Sequence, residues 1–117
     1  MGMFQTRGSN ERYGVLETNV QRTVAAAGSG QSDATVIGAN LTIVTGASGT
    51  NGVVLRKGKN MGYVSEVYSS AATNALLIYP PSGGTINNGS ANAAFSATAR
   101  TPYIVTVLND GITVLIK

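Results

Sequence analysis

The chain has 117 residues and a formal net charge of +3 at pH 7, with 43% hydrophobic and only 11% charged residues. This length fits one domain with one hydrophobic core, whereas the charged fraction is well below the roughly 25% that is usual for soluble domains. Because cysteine and histidine are both absent, disulfides, thiol chemistry and imidazole-based catalysis or metal binding are excluded.

Residues 1–33 are predicted to form an extended N-terminal arm and a linker. Apolar residues are sparse at the start of the chain, and Gly8 and Gly14 interrupt any helix. Such a segment is either a disordered terminus or an arm that becomes ordered on a neighbouring subunit. Residues 22–27 fit a short strand or a helical turn, and Asp33 is placed to form an Asx turn before the next strand. No apolar signal core opens the chain, so we expect synthesis in the cytoplasm without export.

Residues 34–117 are predicted to form a single β domain. Strands are predicted at residues 34–38, 40–45, 52–56, 61–69, 75–80, 85–87, 93–98, 102–109 and 112–117. Asn109-Asp110-Gly111 lies between β-branched and aromatic residues and predicts a hairpin turn. Strands spaced by about 8–12 residues are typical of a sandwich, jelly roll or barrel. The predicted fold is all-β, a small antiparallel β-sandwich resembling a jelly roll, and no internal repeat is visible.

Several predicted strands are apolar on both faces, most clearly at residues 76–79, 103–108 and 112–116. An isolated antiparallel sandwich alternates apolar and polar residues, so a surplus apolar face calls for a second cover, such as another subunit. No charged residue occurs from Val67 to Ala99, which also favours contact with a partner. Within this stretch, Asn88-Gly89 predicts a tight reversal in which both residues have positive φ angles.

The charged residues show no pattern of catalysis or metal binding. The five acidic residues are scattered and form no paired or clustered motif. The chain also lacks an apolar run near the roughly 20 residues that a membrane span requires, and its small positive charge does not predict nucleic-acid binding. We therefore expect no enzyme activity, no cofactor, no metal, no membrane and no nucleic acid.

Two groups of residues allow both a structural and a functional interpretation. Arg56, Lys57 and Lys59 form the main basic cluster, which is either a solvated turn or a contact for an acidic protein surface. A second group consists of four tyrosines, which could line a sugar site but are more often core or interface residues. These tyrosines are Tyr63, Tyr68, Tyr79 and Tyr103.

Five segments, taken together, resemble a group of small virion proteins of tailed bacteriophages, the head decoration or cement proteins. These segments are residues 24–37, 41–46, 52–55, 74–87 and 91–96. The resemblance covers about residues 22–110 and is strongest in the sequence Tyr-Pro-Pro-Ser-Gly-Gly-Thr-Ile-Asn at residues 79–87. It implies a small β-sandwich that assembles as a homotrimer on the outer surface of a phage head.

The expected function is therefore a capsid decoration protein that bridges major capsid subunits and stabilises the shell of the virion. Capsid contacts are expected from the arm and the basic turn, at Met3, Phe4, Arg7, Arg12, Tyr13, Leu16, Arg56, Lys57 and Lys59. Contacts within the trimer are expected at Tyr68, Leu77, Tyr79, Ile86 and Phe95. The alternative is a glycan- or host-surface-binding module of a head fibre or tail tip.

Overall fold

The computed structural model of the protein describes residues 21–56 and 64–117. These residues form ten strands and, within the described ranges, no helix, which confirms the all-β prediction. The strands are β1 (Gln21–Ala25), β2 (Thr35–Ile37), β3 (Leu41–Thr45), β4 (Gly52–Leu55), β5 (Val64–Ser69), β6 (Leu76–Tyr79), β7 (Thr85–Ile86), β8 (Phe95–Ala97), β9 (Pro102–Val107) and β10 (Thr113–Ile116).

The strands form two sheets that enclose one hydrophobic core. One sheet has six strands in the order β1-β3-β5-β9-β10-β7, and the other has four in the order β2-β4-β6-β8. Val44, Val105 and Val114 from the first sheet and Val53 and Ile78 from the second belong to one core cluster and are fully buried. Because side chains alternate along a strand, the intervening residues of each strand lie on the outer faces of the two sheets.

The first six strands alternate between the two sheets as the chain winds. Consequently β1, β3 and β5 lie parallel in one sheet, and β2, β4 and β6 lie parallel in the other. Each return strand therefore serves as the crossover that a parallel pair requires. Equivalent positions stack from one turn of the winding to the next, as Thr35, Val53 and Ile78 do on the core side of the four-stranded sheet.

The rest of the chain completes the two sheets with mainly antiparallel pairs. Strand β8 pairs with β6, and β9 pairs with β5 and β10, all antiparallel, whereas β7 is parallel to β10. Five of the eight strand pairs in the described residues are thus parallel. The prediction of antiparallel pairing holds for the other three. A jelly roll is built from antiparallel strands, so the structure does not confirm that part of the fold prediction.

The predicted division of the chain at residues 33 and 34 can be compared with the structure only from Gln21 onwards. Residues 21–25, which the prediction placed in the arm, form β1 and pair along their whole length with β3. The strand interpretation of residues 22–27 is therefore confirmed up to Ala25. Residues 1–20 lie outside the described residues, so the extended arm stays a prediction.

Two local features fix the positions of neighbouring strands. The hairpin between β9 and β10 closes at Asn109-Asp110-Gly111, as predicted, with Gly111 at φ 77° donating its N–H to the Leu108 carbonyl oxygen at 2.9 Å. In β4, Gly52 allows a close approach of β6, because a Cβ at this position would lie 2.1 Å from the Leu77 carbonyl oxygen.

Candidate interaction surface

The outer side of the six-stranded sheet exposes apolar side chains. Ile104, Val64 and Leu115 are 44%, 43% and 42% exposed, although each belongs to a strand whose alternate residues are buried in the core. We define the outer face as the side chains that alternate with the buried ones on β3, β5, β9 and β10, which are Leu41, Ile43, Thr45, Val64, Glu66, Tyr68, Pro102, Ile104, Thr106, Thr113 and Leu115, together with Lys117 directly after β10. A water-exposed sheet face normally carries polar residues, so this face has the composition of a surface that another molecule covers.

Strand pairing arranges part of the outer face in rows that cross the strands. Val64 of β5 pairs with Thr106 of β9, which in turn pairs with Leu115 of β10. Tyr68 pairs with Pro102 in a second row. Paired residues on one face of a sheet have their side chains in contact distance. The apolar side chains of these strands therefore form a continuous patch.

The row between these two contains both charges of the outer face. Glu66 pairs with Ile104, and Ile104 exchanges backbone hydrogen bonds of 2.8 and 3.1 Å with Lys117. Glu66 and Ile104 thus lie on adjacent strands and Lys117 directly follows the third, β10, with the apolar residue in the middle. At about 4.8 Å per strand, the two charges are roughly 10 Å apart along this row.

Glu66, Ile104 and Lys117 lie in predicted strands, but no sequence pattern marked any of them as a contact residue. The signal that pointed to the surface was the apolar character of residues 103–108 and 112–116 on both faces. The structure supplies what that signal lacked, namely which side chains face outwards. Ile104 and Leu115 do so, whereas Val105, Val107 and Val114 are buried.

The five residues predicted to form a trimer interface do not share one surface. Tyr68 belongs to the outer face defined above. Leu77 and Tyr79 are half-buried on the outer side of the opposite, four-stranded sheet. Ile86 is only 7% exposed and belongs to the core, and the half-buried Phe95 packs against that core. Ile86 and Phe95 therefore face the interior, because successive side chains of a strand point to opposite sides of the sheet and these two lie on the inner side.

The described tyrosines do not form a sugar-binding cluster. Tyr68 and Tyr79 lie on opposite outer sides of the molecule. Tyr103 packs against the core, where its ring contacts Phe95 edge to face at a centroid distance of 5.3 Å, and its hydroxyl accepts the Thr98 N–H at 3.0 Å. Tyr63, the fourth predicted residue, lies outside the described residues.

Of the predicted capsid contacts, only Arg56 is described. Its side chain is exposed, and it lies against Gly38, where a Cβ would be 3.4 Å from the guanidinium carbon. Its backbone N–H donates to the Ile37 carbonyl oxygen at 3.2 Å, which extends the pairing of β2 and β4. The other predicted contacts, Met3, Phe4, Arg7, Arg12, Tyr13, Leu16, Lys57 and Lys59, lie outside the described residues.

Two acidic residues are used to close turns. The Asp33 carboxylate accepts the backbone N–H groups of Ser29 and Gly30, each at 3.0 Å, and these bonds hold the pKa of Asp33 below its usual value. The pKa of Asp110 is also lowered, first by the Thr113 hydroxyl and then by the backbone N–H groups of residues 112 and 113. Both carboxylates are therefore stabilised in their charged form by the loop that each one closes.

The reversal after β7 is built by asparagines and lies one residue earlier than predicted. Asn87 and Asn88 have φ angles of 52° and 63°, and the Gly89 N–H donates to the Ile86 carbonyl oxygen at 2.9 Å. These features define a turn whose central residues are Asn87 and Asn88, as a type I′ turn requires. The Asn87 side chain also pairs with the backbone of Ile116, donating to its carbonyl oxygen and accepting its N–H, both at 2.9 Å.

Within residues 21–56 and 64–117, no group of three or more acidic side chains is arranged to hold a metal ion. No helix in the same ranges is long and apolar enough to cross a membrane. Of the five exposed large hydrophobic side chains in the described residues, Val64, Ile104 and Leu115 belong to the outer face. Comparison of the sequence with protein-family models and with curated proteins, and of the fold with solved structures, finds no match.

Proposed function

We propose that this protein is a structural protein that decorates the outer surface of a tailed-phage head and stabilises the shell by bridging major capsid subunits. The observation that carries the proposal is the outer face, which exposes Ile104, Val64 and Leu115 on a hydrogen-bonded sheet. Apolar patches of this kind are typical of protein–protein contact surfaces. The resemblance of residues 22–110 to head decoration proteins indicates which assembly the surface would contact, namely the head of a tailed phage.

Two separate surfaces would make the contacts that this role requires. The part of the outer face on β5, β9 and β10 would contact other copies of the chain, and the exposed Arg56, with Lys57, Lys59 and the first 20 residues, would contact the major capsid protein. Several weak contacts made by one oligomer act together, because after the first contact forms the others are intramolecular. The resemblance implies three copies in each oligomer.

The alternative function, glycan or host-surface binding, gains no support from the described residues. Tyr68, Tyr79 and Tyr103 lie on three different parts of the molecule. A sugar site needs aromatic rings and polar groups that converge on one concave surface. We therefore favour the decoration role over that of a fibre or tail-tip module.

The test is reconstitution on heads of the phage that encodes the protein. Heads stripped of the protein are incubated with the purified chain, and bound copies are counted by quantitative gel electrophoresis. We expect a copy number comparable to that of the major capsid protein, and release of DNA at a higher temperature than from stripped heads. Equal release temperatures would refute the decoration role. A few copies in each particle would favour the fibre or tail-tip module instead.

A pair of variants tests the basic turn separately. Arg56→Glu should weaken binding to stripped heads several-fold, because in the proposed contact it replaces a cation that would face an acidic capsid surface. Arg100→Glu is the matched control, since Arg100 is also exposed but lies in the loop before β9. An equal effect of the two substitutions would show that the basic turn has no special role in head binding.

A further inference from the structure

We infer that two copies of this chain pair through their outer faces about a two-fold axis that runs along β9. The inference follows from the positions of Glu66, Ile104 and Lys117 in one row of the six-stranded sheet. It gives the outer face one partner copy, in place of the three-copy oligomer that the resemblance implies, because a two-fold contact closes with two copies. It does not depend on head binding, so either proposal can fail without the other. A two-fold pair uses the same surface patch on both subunits, which must therefore complement itself.

The row is self-complementary because β9 lies between β5 and β10. A rotation of 180° about an axis that is parallel to β9 and lies in the contact plane exchanges the two flanking strands. Each residue of β5 then faces the residue of β10 in the same row of the second copy. Glu66 of each copy faces Lys117 of the other, which gives two ion pairs across the contact.

The same rotation matches the apolar residues. Ile104 lies on the axis and faces Ile104 of the second copy. In the next row, Val64 of each copy faces Leu115 of the other, and Thr106 faces its own equivalent. The contact would therefore have apolar side chains at its centre and charged side chains beside them, which is the usual anatomy of a protein–protein interface.

Three other two-fold arrangements of the same face oppose like charges. An axis that crosses the strands through this row would place Glu66 against Glu66 and Lys117 against Lys117. An axis along β5 would again oppose the two glutamates, and an axis along β10 the two lysines. Juxtaposed like charges disfavour an interface strongly, so the charges favour the axis along β9 over these three.

The size of the face predicts a weak pair. Three strands (β5, β9 and β10) at ~4.8 Å spacing and about six residues along each strand cover roughly 15 × 20 Å, so a pair buries on the order of 600 Å² in total. Stable interfaces usually bury more than about 1,200 Å². Pairing should therefore depend on protein concentration, and it would be strengthened when the chains are held close together on a larger assembly.

The experiment is sedimentation equilibrium of the full chain from ~10 µM to ~1 mM, a range that brackets a weak pair. We expect a monomer–dimer equilibrium that is weakened about tenfold by Glu66→Lys and by Lys117→Glu, since each substitution turns both ion pairs into repulsive pairs. The double variant should regain the affinity. An equimolar mixture of the two single variants should form heterodimers, because each supplies the charge that the other lacks.

Two further variants complete the test. Ile104→Lys places two like charges on the axis and should abolish pairing, whereas Ser96→Lys adds the same side chain to the outer side of the other sheet and should leave pairing unchanged. Circular dichroism establishes that each variant is folded. A wild-type chain that stays monomeric at the highest concentration, or forms trimers, overturns the inference. So does a double variant that pairs as weakly as the single variants.

Discussion

Replacement of Asn87 by alanine should remove one of the main attachments of β10. The Asn87 side chain forms two hydrogen bonds of 2.9 Å with the backbone of Ile116, a residue that is only 4% exposed. Leaving a buried donor or acceptor unpaired costs about 1–3 kcal/mol, so we assign about 3 kcal/mol to the two groups at this half-buried site. Alanine also tolerates the φ angle of 52° less well than asparagine, at a cost of about 1 kcal/mol.

The expected loss in the free energy of unfolding for Asn87→Ala is therefore about 4 kcal/mol, a large fraction of the 5–15 kcal/mol that is usual for a domain. Asn88→Ala is the matched control, because Asn88 has a similar φ angle of 63° and forms no side-chain hydrogen bond within the described residues. It should cost about 1 kcal/mol. Urea denaturation measures both variants. Equal losses would show that the bonds to Ile116 contribute nothing, and the reasoning would be wrong.

Three further predictions concern stability. The Thr113 hydroxyl and backbone N–H groups lower the pKa of Asp110, so its stabilising effect is present above its unfolded pKa and lost as the pH falls through its folded pKa. Asp110→Asn should therefore lower the melting temperature at pH 7 and flatten its decline below about pH 4. Gly52→Ala should cost about 2 kcal/mol in urea denaturation, because its Cβ would meet a carbonyl oxygen of β6, and a neutral result would contradict that close approach. Leu76→Ala, in the core, should cost about 3 kcal/mol, whereas Leu115→Ala, on the outer face, should cost less than about 1 kcal/mol. Similar costs for the two leucines would mean that the inner and outer sides are wrongly assigned.

The strand positions could be predicted from the sequence because β-branched and aromatic residues concentrate between clear turn signals. The alternation of successive strands between the two sheets could not be predicted. Val24, Val44 and Ser69 occupy equivalent positions in three parallel strands, yet 20 and 25 residues separate them along the chain. Turns of unequal length that also differ in their core residues leave no sequence repeat. Parallel pairing is decided by backbone contacts between distant segments, which local patterns do not encode.

The existence of the outer face could be predicted, but its members could not. In β9, nearly every residue from Tyr103 to Val107 favours a strand, so the sequence does not indicate which side chains face outwards. The row of Glu66, Ile104 and Lys117 joins residues that are 38 and 13 positions apart. Only the register of three paired strands brings them together.

The position of the asparagine turn shows a different limit of the sequence. Asparagine tolerates positive φ angles, so Asn87-Asn88 and Asn88-Gly89 were both suitable for the reversal. The contacts of the Asn87 side chain with Ile116 favour the first choice. These contacts lie 29 residues away along the chain, and a local turn rule does not include them.

The mixed sheet gives a reason, independent of the charged row, for expecting more than one partner surface. Parallel strands usually have both faces covered, yet Leu41 and Ile43 on the parallel part of the six-stranded sheet are only half-buried on its outer side. A pair centred on β9 covers β5 and β10 and leaves β3 near the edge of the contact. The outer side chains of β3 would then stay accessible in the pair. A protein that must contact both its own copies and a shell would need such a second apolar area, and in the proposed decoration role the major capsid protein would cover it.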